Sequence, residues 1–121
     1  MHRRLVILPV LAAAAALPSV AGAGGASTPK PVPVTLNGIY FNGKPNVKVA
    51  FKLGGSLRFV WKDGFHNVLT QKTPAKANRV NSGNPSDDHK PIVFKPTKKG
   101  TYVFYCLPHK ALGMVLTLTV K

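Results

Sequence analysis

GTYVFYCLPHKALGMVLTLTVK, residues 100–121, decides the fold. Tyr102, Phe104 and Cys106 share one face of an extended chain and Val103 and Tyr105 the other, because successive strand side chains point to opposite sides. Val115 to Val120 repeats the period with Leu alternating against Thr. Two such segments joined by a short loop belong to a sheet with one face on a core. The same period runs upstream. Val47, Val49, Phe51 and Leu53 alternate with Lys48, Ala50 and Lys52, and Gly54-Gly55 turns the chain. Leu57, Phe59 and Trp61 then resume the alternation as far as the turn signal Lys62-Asp63-Gly64. Val68 and Leu69 continue it beyond His66, and Ile92 to Phe94 is a further short strand ahead of a turn at Lys98-Lys99-Gly100. No stretch carries a sustained helical stripe. About seven short strands, with 11 Gly and 11 Pro available for turns, predict an all-β sandwich. Lys72 to Pro91 is polar and without period, so a long loop with room for one helical turn is expected there.

The N-terminus reads differently. His2, Arg3 and Arg4 precede an apolar run from Leu5 to Leu17, and Ala21-Gly22-Ala23 matches a small-x-small cleavage pattern. Residues 1–23 are therefore expected to be a signal peptide. The run is shorter than the roughly 20 apolar residues of a membrane span and contains Pro9, so no membrane insertion is expected after cleavage. Arg3-Arg4 also fit a twin-arginine start, although an ordinary basic n-region accounts for them equally. Residues 24–31 read as a flexible Gly/Ser/Pro linker, and 32–121 as one folded domain. The expected product is an exported monomer in a periplasmic or extracellular compartment.

The formal net charge is +14, from 17 basic and three acidic residues, Asp63, Asp87 and Asp88. That excess speaks to partners and solubility. Nucleic-acid binding is not expected, because the lysines are scattered, no recognition motif accompanies them and the chain is read as exported.

The single cysteine is more informative. An exported protein normally pairs its cysteines, so a lone one is either buried and inert or held by chemistry. Cys106, His109 and Met114 place a thiolate, an imidazole and a thioether within nine residues at a strand junction. Each taken singly has a duller reading as core filler or surface residue. Together they suit copper, whose blue-copper pattern is two His and one Cys with a weak axial Met. A second histidine is needed. His2 leaves with the signal peptide, which keeps His66, in Gly64-Phe65-His66-Asn67-Val68, and His89, in the polar loop.

YVFYCLPHKALGM (102–114) and DGFHNV (63–68) resemble the copper loops of the plastocyanins and pseudoazurins of the cupredoxin family. The resemblance is strong from about Lys48 to Lys121 and weak before it. It implies a Greek-key β-sandwich with one copper at one end, His66, Cys106 and His109 as equatorial ligands and Met114 as the axial one. His89 is then a surface residue beside Asp87 and Asp88. The resemblance also implies that the Asn67 amide donates to the Cys106 sulfur, whereas Pro108 lacks the N–H that some cupredoxins offer two residues after the Cys. The chain departs from plastocyanins in having Phe65 where a Pro usually precedes the first His, and in being basic where many are acidic.

Four protein ligands leave no open position for a substrate, and with no Glu and three Asp acid–base catalysis has little to work with. A non-enzymatic electron carrier cycling one type-1 copper is expected, the alternative being a periplasmic copper carrier or storage protein. Transient, acidic redox partners are expected from the charge. They would dock on a small apolar patch around His109 made of Leu107, Pro108, Ala111, Leu112 and Gly113, and Tyr105 offers a second route to Cys106.

Overall fold

A computed structural model describes residues 28–121. The expected signal peptide, and the linker as far as Ser27, lie outside the described residues. Thr28 to Pro31 is exposed and without regular structure. Eight strands follow: β1 (Val32–Asn37), β2 (Tyr40–Phe41), β3 (Val47–Phe51), β4 (Leu57–Trp61), β5 (Leu69–Lys72), β6 (Ile92–Phe94), β7 (Gly100–Tyr105) and β8 (Val115–Val120). They form two four-stranded sheets in the orders β2-β1-β4-β6 and β3-β8-β7-β5. The chain changes sheet at every connection from β2 to β7. Both sheets are mixed, since β1 runs parallel to β4 and β3 parallel to β8 while the remaining pairs are antiparallel. The all-β sandwich is as the alternation predicts.

The inward faces close on Val34, Leu36, Phe41, Leu57 and Phe59 from one sheet and Tyr102, Phe104, Leu116 and Leu118 from the other, all fully buried. Phe104 is the hinge of an aromatic cluster, with Phe94 at 5.1 Å and Phe59 at 5.4 Å between centroids, both edge-on. Burying each such ring contributes about 1.5–3 kcal/mol. Tyr102 sits in the same layer without an orphaned hydroxyl, because it donates to the Lys98 carbonyl oxygen at 2.7 Å and accepts the Lys98 N–H at 3.1 Å.

Two expectations need correction, and β2 was not foreseen. β3 ends at Phe51 and Leu53 is exposed, because Gly54 and Gly55 have already turned the chain towards β4. β2 has two residues, too few for an alternation to register. Between Lys72 and Pro91 there is no helical turn. That segment is instead pinned to the sandwich by the bridges Leu69–Asn81 and His66–Ser86, by Thr70 N–H on the Val80 carbonyl oxygen, and by the buried Val80 side chain. The helical turn of the described residues is a 3₁₀ segment, η1 (Leu107–Leu112), between β7 and β8.

Candidate metal centre

The core's alternation runs straight into the site. Cys106 continues the inward series Tyr102, Phe104, and Met114 opens the inward series Leu116, Leu118; both are fully buried. Between them the chain must turn back over the end of the sandwich, and η1 does this. Pro108 fits its first turn because the missing N–H would have had no helical partner. Gly113 ends it at φ 101°, with its N–H reaching the His109 and Lys110 carbonyl oxygens. A Cβ at Gly113 would lie 2.8 Å from Cβ of Pro45, and the Asn46 N–H donates to the Gly113 carbonyl oxygen at 2.9 Å. The β2–β3 connection thus braces the loop. Cys106 N–H donates to the Met114 carbonyl oxygen and Met114 N–H to that of His109, each at 3.2 Å, so the loop ends clamp each other.

His66 comes from the other sheet's side, on the connection after β4. Its ring is buried, and Nε2 lies 2.7 Å from the Asp63 carbonyl oxygen. That contact makes Nε2 the donor and turns Nδ1 inward. Asp63 is itself fixed by its carboxylate, which accepts the Gly38 N–H, and by its own N–H on the Leu36 carbonyl oxygen. Gly64, at φ 84°, has to be a glycine: a Cβ there would stand 2.6 Å from His66 Nε2. The His66 carbonyl oxygen accepts the Trp61 indole N–H at 3.0 Å, and its backbone pairs with Ser86.

Cys106 Sγ lies 3.7 Å from His66 Nδ1 and 3.6 Å from His109 Nδ1. The donor atoms of the three residues all fall within 4.8 Å of one another. Two imidazole nitrogens and a thiol, with no carboxylate among them, suit a borderline-to-soft ion, and a neighbouring buried Met tilts the choice from zinc to copper. His66 and Cys106 are buried; His109 alone of the three keeps partial contact with solvent. Burial pushes the His66 imidazole below its ordinary range, opposed by the Asp63 carbonyl bond, with the neighbouring His109 adding to the fall and the Asp63 charge opposing it. The Cys106 thiol is pushed up by burial against the amides of Asn67 and His109, which favour the thiolate.

Those amides bear on Pro108. The Asn67 amide favours the thiolate, in the sense the resemblance implies, and it is not alone in doing so. The His109 amide, whose N–H donates to the Cys106 carbonyl oxygen at 3.2 Å, favours the thiolate as well.

Of the histidines, His66 and His109 join Cys106, whereas His89 lies apart, half-exposed, stacked on Trp61 at 4.5 Å between centroids. Leu107, Pro108, Ala111 and Leu112 are exposed around His109, and Phe65, absent from the sequence-based patch, is more than half exposed as well. Tyr105 has cationic neighbours: Lys110 Nζ lies 4.5 Å from its ring centroid, and Arg79 shares its cleft. The role of Trp61 and the Asn67 side chain has no local sequence signal, since a cross-loop hydrogen bond leaves no period.

Residues 35–121 match the family model of copper binding proteins, plastocyanin/azurin family. A plastocyanin of Prochlorothrix hollandica is 36% identical over 77 residues, which is 60% of this chain and 59% of that protein, so the match spans less than two thirds of it. A plastocyanin of Ulva prolifera is 32% identical over 74 residues, 56% of this chain and 76% of the relative. Among solved structures, pseudoazurin from Methylobacterium extorquens AM1 aligns with a TM-score of 0.60 and 31% identity over 75% of both chains. Oxidised plastocyanin from Dryopteris crassirhizoma aligns at 0.55 and 25% identity, over 74% of this chain and all of the other.

Proposed function

Because this chain belongs to the copper binding proteins of the plastocyanin/azurin family, we propose that it is an exported, non-catalytic one-electron carrier whose copper is held by His66, Cys106, His109 and Met114. The observation that carries the reading is the convergence of a buried cysteine thiol and two imidazole nitrogens within 4.8 Å. When bound there, copper supplies a Cu(I)/Cu(II) couple.

The chain's own part is to hold the donors still. Cys106 and Met114 sit on the ends of strands locked into the core, and the Asp63 carbonyl oxygen fixes the tautomer and pitch of the His66 ring. A site that cannot relax towards either oxidation state keeps rearrangement small. Four donors leave no position for a substrate.

His109 lies at the surface, and the exposed Leu107, Pro108, Ala111, Leu112 and Phe65 give a partner an apolar rim to desolvate around it. Electrons enter and leave by that edge, in short-lived complexes with acidic redox proteins, drawn by the protein's positive charge. Residues 1–23 serve as the signal peptide and 24–31 as the linker. No helix of the described residues is long and apolar enough to cross a membrane; the working form in this reading is a periplasmic or extracellular monomer.

Ligand variants test the assignment. Cys106→Ser should abolish the intense visible band, because a hydroxyl is a harder donor; Met114→Gln should keep copper and change colour and potential. His66→Ala should lose the spectrum and His89→Ala should not. An intense band surviving in Cys106→Ser would overturn the proposal.

A further inference from the structure

Charge is sorted along the long axis of the sandwich. Asp63 follows β4, and Asp87 and Asp88 lie between the His66–Ser86 bridge and β6, so all three acidic side chains gather at the metal end. The opposite end is made by the segment before β1, the β3–β4 and β6–β7 connections, and the residue after β8. Register brings these together: Val32 pairs with Leu57, Leu57 with Phe94, Phe51 with Val120, and Val120 with Gly100. Lys30, Lys52, Lys95, Lys98, Lys99 and Lys121 occupy those segments, and each is exposed. Leu53, 44% exposed, lies among them with its N–H on the Lys121 carbonyl oxygen.

We propose that this lysine-covered end is a docking surface for an anionic phospholipid membrane, which holds the protein with its metal end facing outwards. A redox partner does not fit there. From Gly100 to Cys106 the strand climbs roughly 20 Å at the usual rise per residue, and electron exchange falls steeply with distance. The six ammonium groups are spread over four segments, three of them on the β6–β7 connection. Flexible point charges spread over one end match a sheet of lipid phosphates better than a bidentate pocket would. Each lysine within a Debye length of such a surface adds to the attraction, and Leu53 offers a central apolar contact.

The arrangement also answers a difficulty in solution. With six lysines and no acidic side chain at the far end, and Lys44, Lys62, Lys90 and Lys110 largely offset by the three carboxylates at the metal end, the free protein would present the wrong end to an acidic partner. Lipid covering the lysines removes that misorientation and leaves the apolar rim around His109 exposed. The inference rests on charge placement and stands or falls separately from the copper assignment.

Vesicle flotation decides it, using the exported protein with phosphatidylglycerol/phosphatidylcholine vesicles and with phosphatidylcholine alone. Binding to the anionic vesicles only, lost at high salt, is expected. The triple variant Lys95→Ser, Lys98→Ser, Lys99→Ser should weaken it by about tenfold or more. Removing as many charges at the metal end, with Lys44→Ser, Lys62→Ser and Lys110→Ser, should change it less than about twofold by the same short-range argument. Thermal melting confirms that both variants are folded. Absence of binding to anionic vesicles, equal loss in the two triple variants, or lysine-dependent capture of an acidic soluble protein without vesicle binding would each overturn the proposal.

Discussion

Asn67 makes two ties with one small side chain. Oδ1 accepts the Leu107 N–H at 2.8 Å and Nδ2 donates to the Gly83 carbonyl oxygen at 3.1 Å, while the backbone amide favours the Cys106 thiolate. It therefore locks both ligand loops to the long β5–β6 connection. Asn67→Ala should cost about 1–3 kcal/mol in urea unfolding, because partners are left unpaired, and should shift the visible band of the copper form; an unchanged band would confine Asn67 to a structural role. Protonation gives a second expectation at this scale. His66 sits below its ordinary 6.5 through burial, so as pH falls past that value the unfolded chain takes up a proton that the folded apo-protein resists. Apo stability is thus intact above 6.5 and declines below it. Cys106 is raised above 9.0, so beyond that pH the unfolded thiol ionises first and stability declines again. Copper must displace the Cys106 proton, and uptake near pH 7 should release about one proton per ion. Urea midpoints of the apo-protein across pH and calorimetry in buffers of different ionisation enthalpy check these signs.

At the level of elements, β3, β4, β7 and β8 were legible because each alternates an apolar face turned to the core with a more polar one, and the same period placed Cys106 inward with Tyr102 and Phe104 before any site was considered. What the period does not encode stayed hidden. The Lys72–Pro91 segment has no repeat, yet it is ordered by bridges to residues near β5 and by Arg79, whose guanidinium donates to the Thr70 carbonyl oxygen at 3.0 Å. The choice of His66 over His89 likewise needed the family resemblance, since both histidines follow plausible breaks in pattern. η1 was read only as a tight loop because six residues give no helical stripe. Its stop is the sensitive point. Gly113→Ala combines positive φ with contact against Pro45 and should cost about 1–3 kcal/mol, visible as a lowered urea midpoint with weaker copper retention. A variant as stable as the parent would show that the Pro45 brace yields.

For the whole molecule, a rigid sandwich delivers buried donors to one end, leaves a histidine edge in an apolar rim and carries an uneven cationic charge. Sequence yielded the amount of charge but not its sorting, which depends on which connections share an end. Leu112→Ala should slow electron exchange with an acidic redox protein at every salt concentration, whereas Lys110→Glu should flatten its salt dependence; stopped-flow rates against ionic strength check both. The central claim is that the protein passes electrons and keeps its metal. The most direct measurement follows the visible band and the protein-bound copper together through one cycle of reduction and reoxidation in the presence of a Cu(I) chelator. The account requires the band to bleach and return while copper stays with the protein. Loss of copper to the chelator on reduction, with no colour restored on reoxidation, would contradict it and identify a copper shuttle instead.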